Sequence, residues 1–180
     1  MHYIKNKLFI DGISVDKIVK QFGTPTYCYS YNQLKKNVLK FQKSFSKIKP
    51  LICFAVKANN NTKLLNEIGK LGLGADVVSK GELMAALKSK IDPKKIVFSG
   101  VGKTYDEIRY AAKNKILLIN AESKSEIETI LKVGRSIGKK INIGFRLNPN
   151  VDARTIKEIT TGKNLNKFGL NEKEVLQLIN

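Results

Sequence analysis

The chain has 180 residues, with 33 Lys and Arg against 15 Asp and Glu, a formal net charge of +18. Its hydrophobic fraction of 42% is enough to bury a core, which excludes wholesale disorder. No apolar run approaches roughly 18 residues and the opening MHYIKNKLFIDG lacks a signal-peptide core, so the expectation is a cytoplasmic chain without a membrane span.

The charge does not by itself imply a nucleic-acid partner. Of the basic residues 29 are Lys, spread in ones and twos, and the arginines are Arg109, Arg135, Arg146 and Arg154. Base-edge and phosphate recognition favours the planar fork of Arg. Lys is abundant together with Ile (20) and Asn (16), as an AT-rich coding sequence would produce, so a solvated surface is the expected reading. Cys28 and Cys53 lie in apolar runs and are expected as buried reduced thiols. The lone His2 leaves little room for histidine catalysis or a His-rich metal site.

In chain order, Tyr3–Val15 is expected as a β-hairpin around Asp11-Gly12, followed by a short helix Asp16–Phe22. Strands are then expected at Thr26–Ser30, Ile52–Val56, Gly74–Val78, Ile96–Ser99, Leu117–Asn120 and Ile141–Leu147. Their starts are separated by 26, 22, 22, 21 and 24 residues, the length of one strand plus one helix. The intervening helices have apolar faces: Leu64, Leu65, Ile68 and Leu71 in Thr62–Leu71, and Ile127, Ile130, Leu131 and Val133 in Ser125–Ile137, with Glu126 and Glu128 on the polar side. Ser79 and Glu82 have the spacing of a capping box. A polar loop follows Leu147, and a last helix is expected from near Asn171.

About six successive βα units suit a doubly wound sheet or a (β/α)8 barrel. A doubly wound dinucleotide fold needs a Gly-rich turn after its first strand, which is absent after both Ser30 and Val56. The expected fold is therefore α/β, an incomplete TIM-type barrel.

Three charged residues end apolar strands. Lys57, in Phe54-Ala-Val-Lys-Ala-Asn59, would project from a strand's C-terminal end, where barrels place chemistry. A partly desolvated amine there can act as the nucleophile that forms a Schiff base, although a lysine snorkelling to solvent fits the same spacing. Asp76 interrupts Gly74–Val78, and Arg146 follows Phe145; if buried, Asp76 needs a partner, for which Lys57 or Arg146 would serve. Ser99-Gly-Val-Gly-Lys-Thr104 looks like the end of a P-loop, but Val97 stands where the first glycine is required. Gly100 and Gly102 are expected instead in a tight turn before a helix from Thr104.

Taken together these stretches resemble the fold-type III, PLP-dependent amino-acid decarboxylases, most closely their diaminopimelate decarboxylase branch. The matching words are Gly23-Thr-Pro25 with Tyr27, Phe54–Asn59, Gly74–Ser79 with Gly81-Glu82, and Ile96–Val101. They continue through Phe145–Pro149, Val151-Asp-Ala153, Thr160-Thr-Gly162 and Lys167-Phe-Gly169. The resemblance implies pyridoxal 5'-phosphate on Lys57, with Asp76 and Arg146 tuning and orienting that lysine. It also implies an amino-acid substrate, meso-2,6-diaminopimelate converted to L-lysine and CO2, and a homodimer. It divides the chain into residues 1–22, belonging to the family's β-domain, and 23–180, the truncated PLP-binding barrel. Ile156 stands where the family usually has a histidine. Family members are more than twice as long, so the expectation is a fragment with little or no activity alone. Other readings are a decarboxylase of another diamino acid, a non-enzymatic PLP-binding barrel protein, or a product without a selected role.

Overall fold

The computed structural model describes residues 1–149 and 169–179. The expected features at Val151–Ala153, Ile156, Thr160–Gly162 and Lys167–Phe168 lie outside the described residues. Two compact units meet at Pro50/Leu51.

In the first unit an antiparallel sheet is formed by β1 (His2–Ile4), β2 (Lys7–Ile10) and β3 (Ile13–Ser14). Where one hairpin was expected there are two. Besides the turn at Asp11-Gly12, Lys5 and Asn6 both adopt positive φ (46° and 61°), as a tight turn between twisted strands requires. Helix α1 (Val15–Phe22) starts at the Ser14 cap and α2 (Tyr31–Ser44) at the Ser30 cap. The Asp11 carboxylate accepts from the Ser30 hydroxyl at 2.6 Å and the Asn32 N–H at 3.1 Å, which ties the hairpin turn to the start of α2. The strand expected at Thr26–Ser30 is not formed. A strand needs a neighbour for its N–H and C=O groups; among the described residues this run has none, and Tyr27 and Tyr29 are exposed. For the same reason Cys28 is exposed rather than buried.

The second unit is built on a parallel sheet: β4 (Cys53–Ala55), β5 (Gly74–Val77), β6 (Ile96–Phe98), β7 (Leu118–Ala121) and β8 (Ile143–Phe145). The strands lie side by side in chain order, joined through α3 (Thr62–Lys70), α4 (Lys80–Lys88), α5 (Tyr105–Lys113) and α6 (Lys124–Ile137). Such an order has no reversal point. Right-handed crossovers in one direction put every helix on the same face, which is the arc of a barrel and not a doubly wound sheet.

Burial follows the strand period. Ala75, Val77, Ile96, Phe98 and Ile119 are wholly buried on the helix side, against Leu65, Ile68, Leu83, Ala86, Ile108 and Val133. The register pairs Ala55 with Asp76 and Asp76 with Val97; these residues point to the other, concave face and are only partly buried. Past β8, Leu147 bridges Leu170 in parallel, so the arc begins a further stave before α7 (Glu172–Ile179).

Three local expectations change. Leu131 is half exposed: Ile127, Ile130 and Val133 take the sheet-facing stripe of α6, and Leu131 lines a groove with Ile141. Glu126, expected on the polar side, is buried against Lys103. The Ser79 hydroxyl accepts from the Glu82 N–H, but the Glu82 carboxylate returns to the Val78 N–H rather than to Ser79, so the box is displaced by one residue. The reciprocal box occurs at Thr104 and Glu107.

Candidate functional site

The C-terminal ends of the parallel strands open on a cleft of about 390 Å3. Lys57 enters it from a 3₁₀ turn, Val56–Ala58, that continues β4. The buried Val56 anchors this turn, and the Lys57 side chain that follows it lines the cleft. Lys57 is exposed, and its amine has no hydrogen-bond or ion-pair partner among the described residues. Asp76 reaches the same cleft from β5 and Arg146 from the residue after β8. The three residues singled out from sequence are therefore brought together.

Their partners differ from those expected. Asp76 accepts from the Ser99 hydroxyl at 2.7 Å, and that oxygen accepts from the Asn120 amide at 3.1 Å. Arg146 Nη1 donates at 2.9 Å to Glu122, whose side chain is 2% exposed and whose other oxygen accepts the Gly100 N–H at 2.8 Å. Among the described residues Asp76 forms no salt bridge with Lys57 or Arg146. Register explains the second case: Ala121 pairs with Phe145, which sets Glu122 beside Arg146, whereas β5 and β8 are separated by two strands. At about 4.8 Å per strand, Asp76 and Arg146 start some 14 Å apart.

Small residues make the floor. A Cβ on Gly144 would lie 2.5 Å from Asn120 Oδ1, so the glycine leaves room for the amide that steadies Ser99. Gly100 and Gly102 have φ of 92° and 72°, in the tight turn expected there, and Thr104 caps α5. Burial, and next the Asp76 carboxylate, push the Cys53 thiol above its ordinary pKa, keeping it protonated at neutral pH. Among the described residues no three His, Cys, Asp or Glu side chains form a possible metal set.

Glu122, Ser99 and Asn120 were missed from sequence. A period-two count along Leu118-Ile-Asn-Ala-Glu122 would have found two of them, since Ile119 and Ala121 take the buried face.

The sequence model of one protein family, described as the pyridoxal binding domain of pyridoxal-dependent decarboxylases, matches residues 31–180. The chain belongs to this family. Over 174 residues it is 42% identical to the diaminopimelate decarboxylase of Aquifex aeolicus, covering 97% of the chain and 41% of that protein. The crystal structure of diaminopimelate decarboxylase from Helicobacter pylori complexed with L-lysine superposes with a TM-score of 0.87 at 44% identity, over 91% of this chain and 41% of that one. The enzyme from M. jannaschii, in co-complex with L-lysine, gives 0.88 at 36%, over 97% and 42%. The chain thus spans about two fifths of the length of the relatives it matches. The neighbours share the partial barrel and the preceding antiparallel sheet, in agreement with the fold expected from sequence.

Proposed function

We propose that this chain supplies the lysine-bearing part of a PLP site in a decarboxylase acting on meso-2,6-diaminopimelate, releasing L-lysine and CO2. The observation that carries this reading is the placement of Lys57: an amine without a partner among the described residues, opening into the same cleft as Asp76 and Arg146. The L-lysine held by two relatives agrees with a lysine product.

The residues present fit the cofactor. An accessible amine is what its aldehyde requires, and the cleft falls within the roughly 300–1,000 Å3 of small-molecule sites. When bound, PLP supplies an electron sink for the carbanion left by loss of CO2. Lys57 would carry it. Asp76, held by Ser99, presents its carboxylate in a fixed orientation on the same cleft as Lys57. Arg146, paired with Glu122, presents a guanidinium in fixed orientation at the opposite end of the cleft. Among the described residues the remaining charged group in the lining is the acid Glu122, a poor ligand for a phosphate. We therefore take the chain alone to be a weak PLP binder and a negligible decarboxylase, working in the cytoplasm, where its two free thiols stay reduced.

The test is spectroscopic. On addition of PLP the chain should develop a visible absorbance band that Lys57→Ala abolishes. Identical spectra for the two proteins would overturn the cofactor reading. Release of CO2 from diaminopimelate by the chain alone would overturn its inactivity.

A further inference from the structure

Lys103 and Glu126 stand outside the cleft, yet they hold two of its backbone anchors. Both side chains are buried, at 1% and 6% exposure, with Lys103 Nζ 2.6 Å from Glu126 Oε1. That oxygen accepts no well-angled hydrogen bond, so the contact is an ion pair, and Lys103 Nζ lies 5.6 Å from the centre of the Phe98 ring. The ammonium also donates to the Gly100 carbonyl. Glu126 Oε2 accepts the Glu122 N–H at 2.9 Å, and the Glu122 carboxylate accepts the Gly100 N–H at 2.8 Å. These contacts close a ring through Lys103, Gly100, Glu122 and Glu126. The oxygen of Glu122 left outside the ring takes Arg146.

Capping alone does not require this ring. At the β5–α4 corner Glu82 accepts the Val78 N–H at 2.8 Å, the same device as Glu126 on Glu122, and Glu82 forms no ion pair among the described residues. Burying an ammonium beside a carboxylate is a costly way to stabilise a helix start, since an apolar pair of similar volume is commonly as stable. What the cation adds at the β7–α6 corner is a grip on the turn that meets Glu122.

We propose that Lys103 and Glu126 are positioning residues: the buried pair fixes the Ser99–Gly102 turn and the start of α6 so that Glu122 holds Arg146 in place at the cleft. The proposal rests on the reading of the cleft as a PLP site only for its consequence, tighter cofactor binding.

The double variant Lys103→Met/Glu126→Leu tests it. The variant also loses the partners of the Gly100 carbonyl and the Glu122 N–H, so it should melt several degrees below the unaltered chain while keeping its fold, an apolar pair replacing the buried ionic one. In the cofactor-free chain the Arg146 Nη protons, followed by NMR, should exchange about tenfold faster, and the PLP dissociation constant should rise by about tenfold. Unchanged Arg146 exchange in the folded variant would overturn the proposal. Faster exchange in a protein whose unaltered form binds no PLP would support the positioning role and overturn the cofactor reading instead. A second measurement needs no variant. In the unaltered chain the Gly100 and Glu122 amides, held by one ring, should exchange within about tenfold of each other and more slowly than Val78. A Glu122 amide as fast as that of Val78 would overturn the proposal.

Discussion

Cys28 and Cys53 have the same sequence surroundings, an aromatic or apolar run, and opposite circumstances in the structure. Cys28 is exposed, while Cys53 is half-buried with its thiol raised by burial and by Asp76. At pH 8 iodoacetamide should therefore alkylate Cys28 at least about tenfold faster, as mass spectrometry of the peptides would report. Asp76→Asn should narrow that gap, because removing a neighbouring negative charge favours the Cys53 thiolate; an unchanged gap would mean that burial alone sets it. Lys57 was legible in the sequence because a charge at the end of an apolar strand stands out. Glu122 was not. A carboxylate following an apolar strand is usually solvated, and only the register of β7 with β8 reveals that it meets Arg146 and is buried.

The βα corners carry one device in several copies. A Ser or Thr caps the helix and a Glu three residues on accepts a backbone N–H: Ser79 with Glu82, Thr104 with Glu107, Ser123 with Glu126. Glu107 also accepts the Lys80 N–H at 3.1 Å and so links the starts of α4 and α5. The Thr104 N–H first, then that of Lys80 and the Thr104 hydroxyl, hold its carboxyl below its ordinary value of 4.5. A depressed folded pKa contributes stability that is present above 4.5 and is lost as pH falls through the folded value. The difference in melting temperature between the chain and Glu107→Gln should accordingly be steady at neutral pH and shrink below 4.5. A difference independent of pH would show that the charge plays no part.

Glycines set the spacing between these units with unequal stakes. A Cβ at Gly74 would lie 2.0 Å from the Lys95 carbonyl oxygen and 2.9 Å from Cys53 Sγ, whereas at Gly144 the nearest atom is the movable Asn120 amide. Gly74→Ala should cost about 3 kcal/mol by denaturant unfolding and Gly144→Ala about 1 kcal/mol. Equal losses would contradict the placement. Helix and strand periodicity revealed the parallel staves to within a residue or two. It failed at Thr26–Ser30, where residue type suits a strand but no neighbour is paired, and at Leu131 and Glu126, whose burial depends on what lies across from α6.

At the scale of the molecule, protection should be graded across the parallel sheet. β5, β6 and β7 are flanked by strands on both sides, whereas among the described residues β4 has a neighbour on one side only. Amide exchange should be slowest in β5–β7, with the β4 amides at least about tenfold faster. Uniform protection from β4 to β8 would mean that the free edge of β4 is covered in solution. The order of the staves was readable from the even spacing of apolar runs; the half-buried concave face was not, because alternation within a strand does not say what lies opposite it.

The monotonic strand order has a consequence for how the cleft comes into being. Its polar contacts join neighbours in that order: 23 residues separate Asp76 from Ser99, 21 separate Ser99 from Asn120, 22 separate Gly100 from Glu122 and 24 separate Glu122 from Arg146. Each contact closes a loop of one repeat, so the entropic cost of each closure is nearly the same and none requires distant parts of the chain to meet. Assembly can then proceed stave by stave, each docking on a neighbour one repeat away. Arg146 is the last of these polar groups to leave the ribosome, and its arrival completes them.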